Sequence, residues 1–89
     1  MSGLVKHSLT LRGHRTSVTL EDEFWQAFNA IARMRAISVN ALASEIDEKR
    51  RPGEGLASSI RVFCLNHYRD RADQNARSHH PSVSPAALD

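Results

Sequence analysis

The sequence predicts a mainly α-helical domain that begins with a short β ribbon. Two segments before residue 21 alternate between apolar and polar residues, which is the period of half-buried strands. Three later segments carry apolar residues three and four positions apart, which is the period of helices packed on a core. With 89 residues, of which 40% are hydrophobic and 25% charged, the chain has the composition of one small globular domain.

The first predicted strand spans residues 5–11. Its odd-numbered residues are apolar except for His7, and we expect them on one face, whereas the residues between them are polar. A three-residue turn, Arg12-Gly13-His14, follows it, because glycine accepts the positive φ angles that tight hairpin turns require.

The second predicted strand spans residues 15–20. Its apolar residues, Val18 and Leu20, are expected to face inward together with Thr16, whereas the opposite face is polar. The apolar positions change from odd to even numbers across Gly13, so a turn or a bulge must lie there.

The first predicted helix spans residues 22–35. An acidic stretch opens it, where the positive end of the helix dipole favours carboxylates, and either Glu21 or Asp22 can serve as its N-cap. Four apolar residues recur at helical spacing and predict the face that packs on the core. These residues are Phe24, Phe28, Ile31 and Ala32.

Two further helices follow a short connector. Ser38 is a good N-cap for the second helix, which we expect to end near residues 49–51, because Pro52-Gly53 cannot continue it. The third helix is expected over residues 56–71. Residues 73–89 are polar and then rich in Ser, Pro and Ala, so we expect a disordered tail.

Charge is distributed unevenly along these elements. The formal net charge is only +2, but residues 1–20 contain three basic residues and no acidic one. Ten of the 12 basic residues are arginine, whose forked guanidinium suits phosphates and guanine edges. On charge alone, a solvated surface is the preferred interpretation. The predicted parts are a basic strand and glycine turn (1–14), a strand-helix-helix core (15–50), a loop and third helix (51–72) and the tail (73–89).

The composition also argues against several classes of protein. A single cysteine, Cys64, excludes an internal disulfide framework and a cysteine-based zinc site. No apolar run approaches the roughly 20 residues of a membrane span, and no apolar block follows Lys6 as a secretory signal would require. We therefore expect a cytoplasmic protein. The sequence has no motif for a phosphate loop, a nucleophilic serine or a zinc protease. We therefore expect no enzymatic activity, no cofactor and no bound metal.

Residues 15–50 resemble the ribbon-helix-helix family of bacterial DNA-binding proteins. A six-residue strand, an acidic helix opening that contains Phe24-Trp25, and an I-S-V-N entry into a second helix capped by Ser38 follow in the order of that family. The chain is similar to a small alphaproteobacterial-type branch, in which G-H-R-T-S precedes the first helix and a segment like S-I-R-V-F, residues 59–63, follows later. The resemblance spans about residues 6–66.

This resemblance implies an intertwined homodimer in which two chains pair their strands into an antiparallel ribbon. In the family, the ribbon enters the major groove of double-stranded DNA, which at about 12 Å wide admits two strands. The start of the second helix holds the DNA backbone. The implied function is sequence-specific DNA binding by a transcriptional regulator, most simply a repressor.

The resemblance and the strand pattern together assign candidate contacts. An outward arginine of the second strand can fork onto guanine O6 and N7, although an ordinary edge strand shows the same alternation. Free N–H groups and the positive dipole end at the start of the second helix can bind a phosphate, although Ser38 also serves as a simple cap. The expected base contacts are Arg15, Ser17 and Thr19. The expected phosphate contacts are Ser38, Val39 and Asn40, joined by Lys6, Arg12 and His14 near the ribbon.

Two elements depart from the simplest family pattern. Strand 5–11 gives a dimer four strands, which is more than the groove admits. This strand therefore folds aside, lies beside the groove or alters the base readout. The third helix, over residues 56–71, is interpreted as packing for the dimer or the core.

The expected partners are double-stranded DNA and a second copy of the chain. A strand of six residues cannot form an independently stable ribbon, so we expect no stable folded monomer. The alternative function is a protein-interaction module, such as an antitoxin-like dimer that binds a small protein partner without a primary DNA role. The polar outer face of residues 15–20 favours DNA over this alternative.

Overall fold

A computed structural model describes the backbone of residues 3–83 and the side chains of residues 3–76. A two-stranded antiparallel hairpin is followed by three helices, which confirms the predicted fold class. The elements are β1 (Leu4–Leu11), β2 (His14–Glu21), α1 (Asp22–Met34), α2 (Val39–Lys49) and α3 (Leu56–Val83).

The hairpin turn has two residues, Arg12 and Gly13, with φ angles of 52° and 84°. Positive φ at both positions is the signature of the tight turn that matches the twist of a hairpin. The predicted three-residue turn is therefore wrong, because His14 is already the first residue of β2 and lies opposite Leu11. The switch of apolar positions from odd to even numbers requires this result, since a loop of two residues pairs odd positions with even ones.

The inner face of the hairpin packs on the helices. Leu9 and Leu11 of β1 are buried, as are Val18 and Leu20 of β2. Thr16 shares the parity of the inner face but is exposed, which corrects the expectation that it lies inside. The buried residues of β2, Val18 and Leu20, lie nearer its junction with α1, whereas Thr16 lies toward the hairpin turn.

β2 hydrogen-bonds to β1 of the same chain. This pairing agrees with the hairpin predicted across Gly13 and with strand 5–11 as an additional edge strand. The pairing of β2 with a second chain, which the family resemblance implies, would use the other edge of β2.

The helix α1 begins directly after β2. Glu21 is its N-cap residue by backbone geometry, without a capping side-chain hydrogen bond, and Asp22 lies in the first turn. The helix ends at Met34, and two residues later the chain turns at Ala36, which is left-handed with a φ of 58°. The N–H groups of Ala36 and Ile37 donate to the carbonyls of residues 33 and 32, each at 3.0 Å, which satisfies the last turn.

The helix α2 begins as predicted at Ser38, whose Oγ accepts the N–H of Ala41 at 2.9 Å. It ends at Lys49, before the Pro52-Gly53 pair that cannot continue a helix.

The helix α3 extends to Val83, past the predicted end at Arg71. It therefore includes the first part of the segment over residues 73–89 that was expected to be a disordered tail. Ala72, Gln74 and Ala76 are strong helix formers, so the helix continues although its side chains there face solvent. Residues 84–89 lie outside the described part of the chain.

The core lies between the inner face of the hairpin and the three helices. Every helix contributes to it, and α3 does so only through its first three turns. Its buried residues are Leu9, Leu11, Val18, Leu20, Phe28, Ile31, Ala32, Leu42, Ala43, Ile46, Ile60 and Cys64.

Candidate nucleic-acid interface

The outer side of the hairpin presents a row of exposed polar side chains, which we call the polar face. Residues of the two strands stand directly opposite each other along it. The opposed pairs are Lys6 with Thr19, Ser8 with Ser17, and Thr10 with Arg15.

The polar face combines two kinds of hydrogen-bonding group. Four of its six residues carry hydroxyls, which both donate and accept, and the other two are Lys6 and Arg15. None of the six is acidic, so the face is suited to a partner that carries acceptors and negative charge. The predicted base contacts Arg15, Ser17 and Thr19 are all exposed on this face.

The two outer edges of the hairpin have different surroundings. In an antiparallel pair, alternate residues turn their N–H and C=O groups away from the neighbouring strand. On β1, Thr10 does so and donates its N–H to Asn40 Oδ1 at 3.0 Å, while α2 packs against the same strand. On β2, the corresponding groups belong to Arg15, Ser17 and Thr19, and no strand within residues 3–83 pairs with them. The edge of β2 is therefore open.

The start of α2 has the features of a phosphate-binding helix end. Its first turn contains no acidic residue, so no carboxylate offsets the positive end of the helix dipole. Ser38 occupies the N–H of Ala41, which leaves the N–H groups of Val39 and Asn40 at the end of the helix. Ser38 and Asn40 are exposed, and Val39 is half-buried.

The hairpin tip is tied to α2 by ion pairs. The guanidinium of Arg12 lies 2.9 Å from Asp47 Oδ2 and 3.3 Å from Glu48 Oε2. Arg12, predicted to contact phosphate, therefore joins the tip to α2 in this structure. His14 is exposed beside the tip, and Lys6 is exposed on the polar face at some distance along β1.

Glu21 is the last residue of β2, lies opposite Leu4, and continues the outer side of the hairpin two residues past Thr19. Its pKa lies below the ordinary value of 4.5, because the backbone N–H of Glu21 and then Arg61 stabilise the carboxylate. Arg61 Nε donates to Glu21 Oε1 at 2.9 Å, and the guanidinium also lies 5.9 Å from the centre of the Phe24 ring. A cation from α3 thus offsets the nearest acid on β2.

Two polar-face residues and one tether were missing from the predicted site. The alternation of residues 5–11 already grouped Ser8 and Thr10 with Lys6, and a two-residue turn would have placed them opposite β2. The hydrogen bond between Thr10 and Asn40 joins residues 30 positions apart, and no local pattern indicates it.

Other kinds of site have little support in the same part of the chain. Among the described residues, no three His, Cys, Asp or Glu side chains come together as metal ligands would. No described helix is both long and apolar enough to cross a bilayer. A shallow groove of about 490 Å³ lies between α2 and α3, lined in part by Ile46, Val62 and Phe63.

Comparison with known proteins agrees with this architecture. A family model described as a ribbon-helix-helix domain matches residues 4–68, from the start of β1 into the middle of α3. Domains of this family are typically DNA-binding transcription regulators. No curated protein and no solved structure matches the chain. Since the match covers most of the chain and both strands of the hairpin, the protein belongs to the ribbon-helix-helix domain family.

Proposed function

We propose that this protein is a homodimeric, sequence-specific regulator that binds double-stranded DNA in the cytoplasm. In the simplest case it is a repressor that blocks transcription. The observation that carries the proposal is the polar face: six exposed residues with hydroxyls and two cations, and no acid among them. Family membership supports DNA as the partner, because ribbon-helix-helix domains typically bind it.

The open edge of β2 supplies the means of dimerisation in this proposal. Arg15, Ser17 and Thr19 turn their backbone N–H and C=O groups toward that edge, and a second β2 can pair with it antiparallel about a two-fold axis. Such pairing places two polar faces side by side in one sheet. It also removes an exposed strand edge, which is a liability in a lone chain.

Within the dimer, the two β2 strands enter the major groove and the start of each α2 binds a backbone phosphate. Arg15 is the most discriminating reader, since its guanidinium can donate twice to guanine, whereas Ser17 and Thr19 accept or donate to several bases. Val39 and Asn40 offer their N–H groups to the phosphate, with Ser38 as the cap that begins the helix.

The first test is fluorescence anisotropy of labelled duplexes. One duplex carries the DNA immediately upstream of the protein's own reading frame, or a sequence selected from random DNA, and the other is a random duplex. Wild-type protein should bind the first more tightly and retain that preference at moderate salt, because base contacts are less sensitive to counterion release than phosphate contacts are.

Arg15→Ala tests the assignment of base contacts. It should weaken specific binding by about 1–3 kcal/mol and relax the preference at one base position, since the bidentate contact to guanine is lost. Arg69→Ala is the matched control, because Arg69 is exposed on α3 away from the polar face. Equal losses in the two variants would mean that Arg15 acts only through its charge, and the base assignment would be wrong.

A protein-interaction module is the second candidate function, and exposed apolar residues favour it. Val62 and Leu65 on α3 are 55% and 54% exposed, and Tyr68 follows at 41%. A small protein that docks on this stretch would make the chain an antitoxin-like partner. Failure of the wild type to bind any duplex at low salt, with formation of a complex with the product of a neighbouring reading frame, would favour this candidate.

A further inference from the structure

We propose that β1 flanks the major groove and binds the DNA backbone through Lys6, Ser8 and Thr10, while β2 reads the bases. This inference rests on the proposed function. It assigns a role to β1, the strand by which this chain departs from the simplest family pattern. Ser8 and Thr10 thereby become DNA-contacting residues, and Lys6 acquires a defined place beside them.

The first argument comes from the width of the sheet. Neighbouring strands lie about 4.8 Å apart, so a dimer paired through the β2 edges places each β2 about 2.4 Å from its two-fold axis and each β1 about 7.2 Å from it. The major groove is about 12 Å wide, so its walls lie about 6 Å from the same axis. The β2 strands therefore fit inside the groove, whereas the β1 strands reach the phosphates that line it.

The second argument comes from the position of α2. The hydrogen bond from Thr10 N–H to Asn40 Oδ1, at 3.0 Å, holds the start of α2 against the outer edge of β1. The order outward from the two-fold axis is then β2, β1 and the α2 N-terminus. Because β1 lies between the base-reading strand and the proposed phosphate-binding helix end, the path of the DNA backbone crosses it.

The third argument comes from register and chemistry. Each proposed base contact on β2 has one residue of β1 directly across the hairpin. The pairs are Arg15 with Thr10, Ser17 with Ser8, and Thr19 with Lys6. The β1 residues carry two short hydroxyls and one ammonium group, which donate to phosphate oxygens, and all three are exposed. None of the three carries the planar guanidinium fork of Arg15.

The hydroxyls are tested by Ser8→Ala and Thr10→Val in the same anisotropy assay, with duplexes that carry single base substitutions. Each variant should weaken binding by the dimer about five- to a hundredfold, because both chains lose one hydrogen bond. The loss should be the same for every duplex, since a phosphate contact carries no sequence information. Ser58→Ala, exposed on α3, is the matched control and should bind as the wild type does.

The cation is tested by the dependence of binding on salt. Lys6→Ala should lower the slope of log K against log salt by about one for each chain, because one phosphate contact per chain is lost. Lys49→Ala removes the other lysine, which is exposed at the opposite end of α2, and should leave the slope unchanged. Circular dichroism on each variant verifies that the fold is retained.

The outcomes separate this inference from the proposed function. If the wild type binds a specific duplex and the three β1 variants match it, β1 lies away from the DNA and the inference is wrong. A change of base preference in Ser8→Ala or Thr10→Val would also overturn it, since β1 would then lie inside the groove. Failure of the wild type to bind any duplex would overturn the proposed function and the role of β1 together.

Discussion

Asn40 connects the hairpin to α2 through one side chain. Its Oδ1 accepts the N–H of Thr10 on the outer edge of β1, while its own backbone N–H lies at the start of α2. The same residue therefore closes one sheet edge and helps to form the proposed phosphate site. Substitution of Asn40 changes both features at once, so it is a poor choice for testing either one alone.

At the same scale, the pair formed by Glu21 and Arg61 predicts a pH dependence of stability. The pKa of Glu21 is lowered from 4.5 in the folded chain, first by the backbone N–H of Glu21 and then by Arg61. A lowered folded pKa means that this carboxylate stabilises the fold above pH 4.5, and that its contribution is lost as the pH falls through the lower folded value. Wild type should therefore exceed Glu21→Gln in urea midpoint at neutral pH, and the difference should vanish in acid.

The pH series is measured in parallel for Arg61→Gln. Glu21→Gln should lower the urea midpoint less in the Arg61→Gln background than in the wild type. The decrease that remains in that background reports the contribution of the backbone N–H. A difference between wild type and Glu21→Gln that grows as the pH falls would contradict the assigned direction of the pKa.

At the scale of elements, left-handed residues determine how β1 joins β2 and how α1 joins α2. Gly13 has a φ of 84° in the hairpin turn, and Ala36 has a φ of 58° after α1. Glycine adopts such angles without strain, whereas alanine does so at a cost of about 1–2 kcal/mol. Arg12, with a φ of 52°, carries a similar cost in the hairpin turn, so each of the two connections contains one strained residue that is not glycine.

Exchanging these residue types tests the strain directly. Ala36→Gly should raise the free energy of unfolding by about 0.5 kcal/mol, since relief of the left-handed strain exceeds the added flexibility of the unfolded chain. Gly13→Ala should lower the free energy of unfolding by about 1–2 kcal/mol. Urea unfolding at a fixed protein concentration measures both changes.

Two controls accompany this pair of variants. A Cβ added at Gly13 or at Gly3 meets nothing within 4 Å, but only Gly13 has a positive φ, so Gly3→Ala should have little effect. Ala41→Gly replaces an exposed helical alanine and should destabilise by up to about 1 kcal/mol. If Ala36→Gly destabilised the protein as much as Ala41→Gly does, the left-handed conformation of Ala36 would cost nothing.

At the scale of the whole molecule, one chain leaves surfaces that a second copy can cover. The edge of β2 is open, and Val5 remains 45% exposed on the inner face of β1. A small domain with a thin core benefits from burying such groups, which supports the proposed homodimer.

The proposed dimer predicts that stability depends on protein concentration. The midpoint of thermal unfolding should rise with concentration, and sedimentation should give the mass of two chains at concentrations on the order of micromolar. Ser17→Pro should abolish both results, because Ser17 turns its N–H toward the open edge and proline has no N–H to donate. The hairpin within the chain should be spared, since that N–H does not point at β1.

Ser17→Ala keeps the backbone donor and is the matched control for this variant. It should retain the mass of two chains. A wild-type mass of one chain, or a Ser17→Pro variant that still forms dimers, would contradict pairing through the β2 edge.

Much of the fold and of the candidate site follows from periodicity. In β2, the buried residues Val18 and Leu20 alternate with exposed ones, as a period of two residues predicts for a strand with one covered face. The exposed residues of the outer face are Arg15, Ser17 and Thr19. The start of α2 follows from Ser38, because a capping hydroxyl acts on the backbone only three residues away. Patterns of this kind depend on neighbours in the chain, so they are visible without a structure.

The remaining features depend on residues that are distant in sequence. Arg12 is held by Asp47 and Glu48, and the N–H of Thr10 donates to Asn40, and neither contact has a local signature. Each results from where α2 lies against the hairpin. The alternation in the sequence determines by itself which face of each strand is polar. Tertiary packing decides which outer strand edge is closed and which is open. The reason is that long-range hydrogen bonds and ion pairs depend on distance in space rather than on separation along the chain.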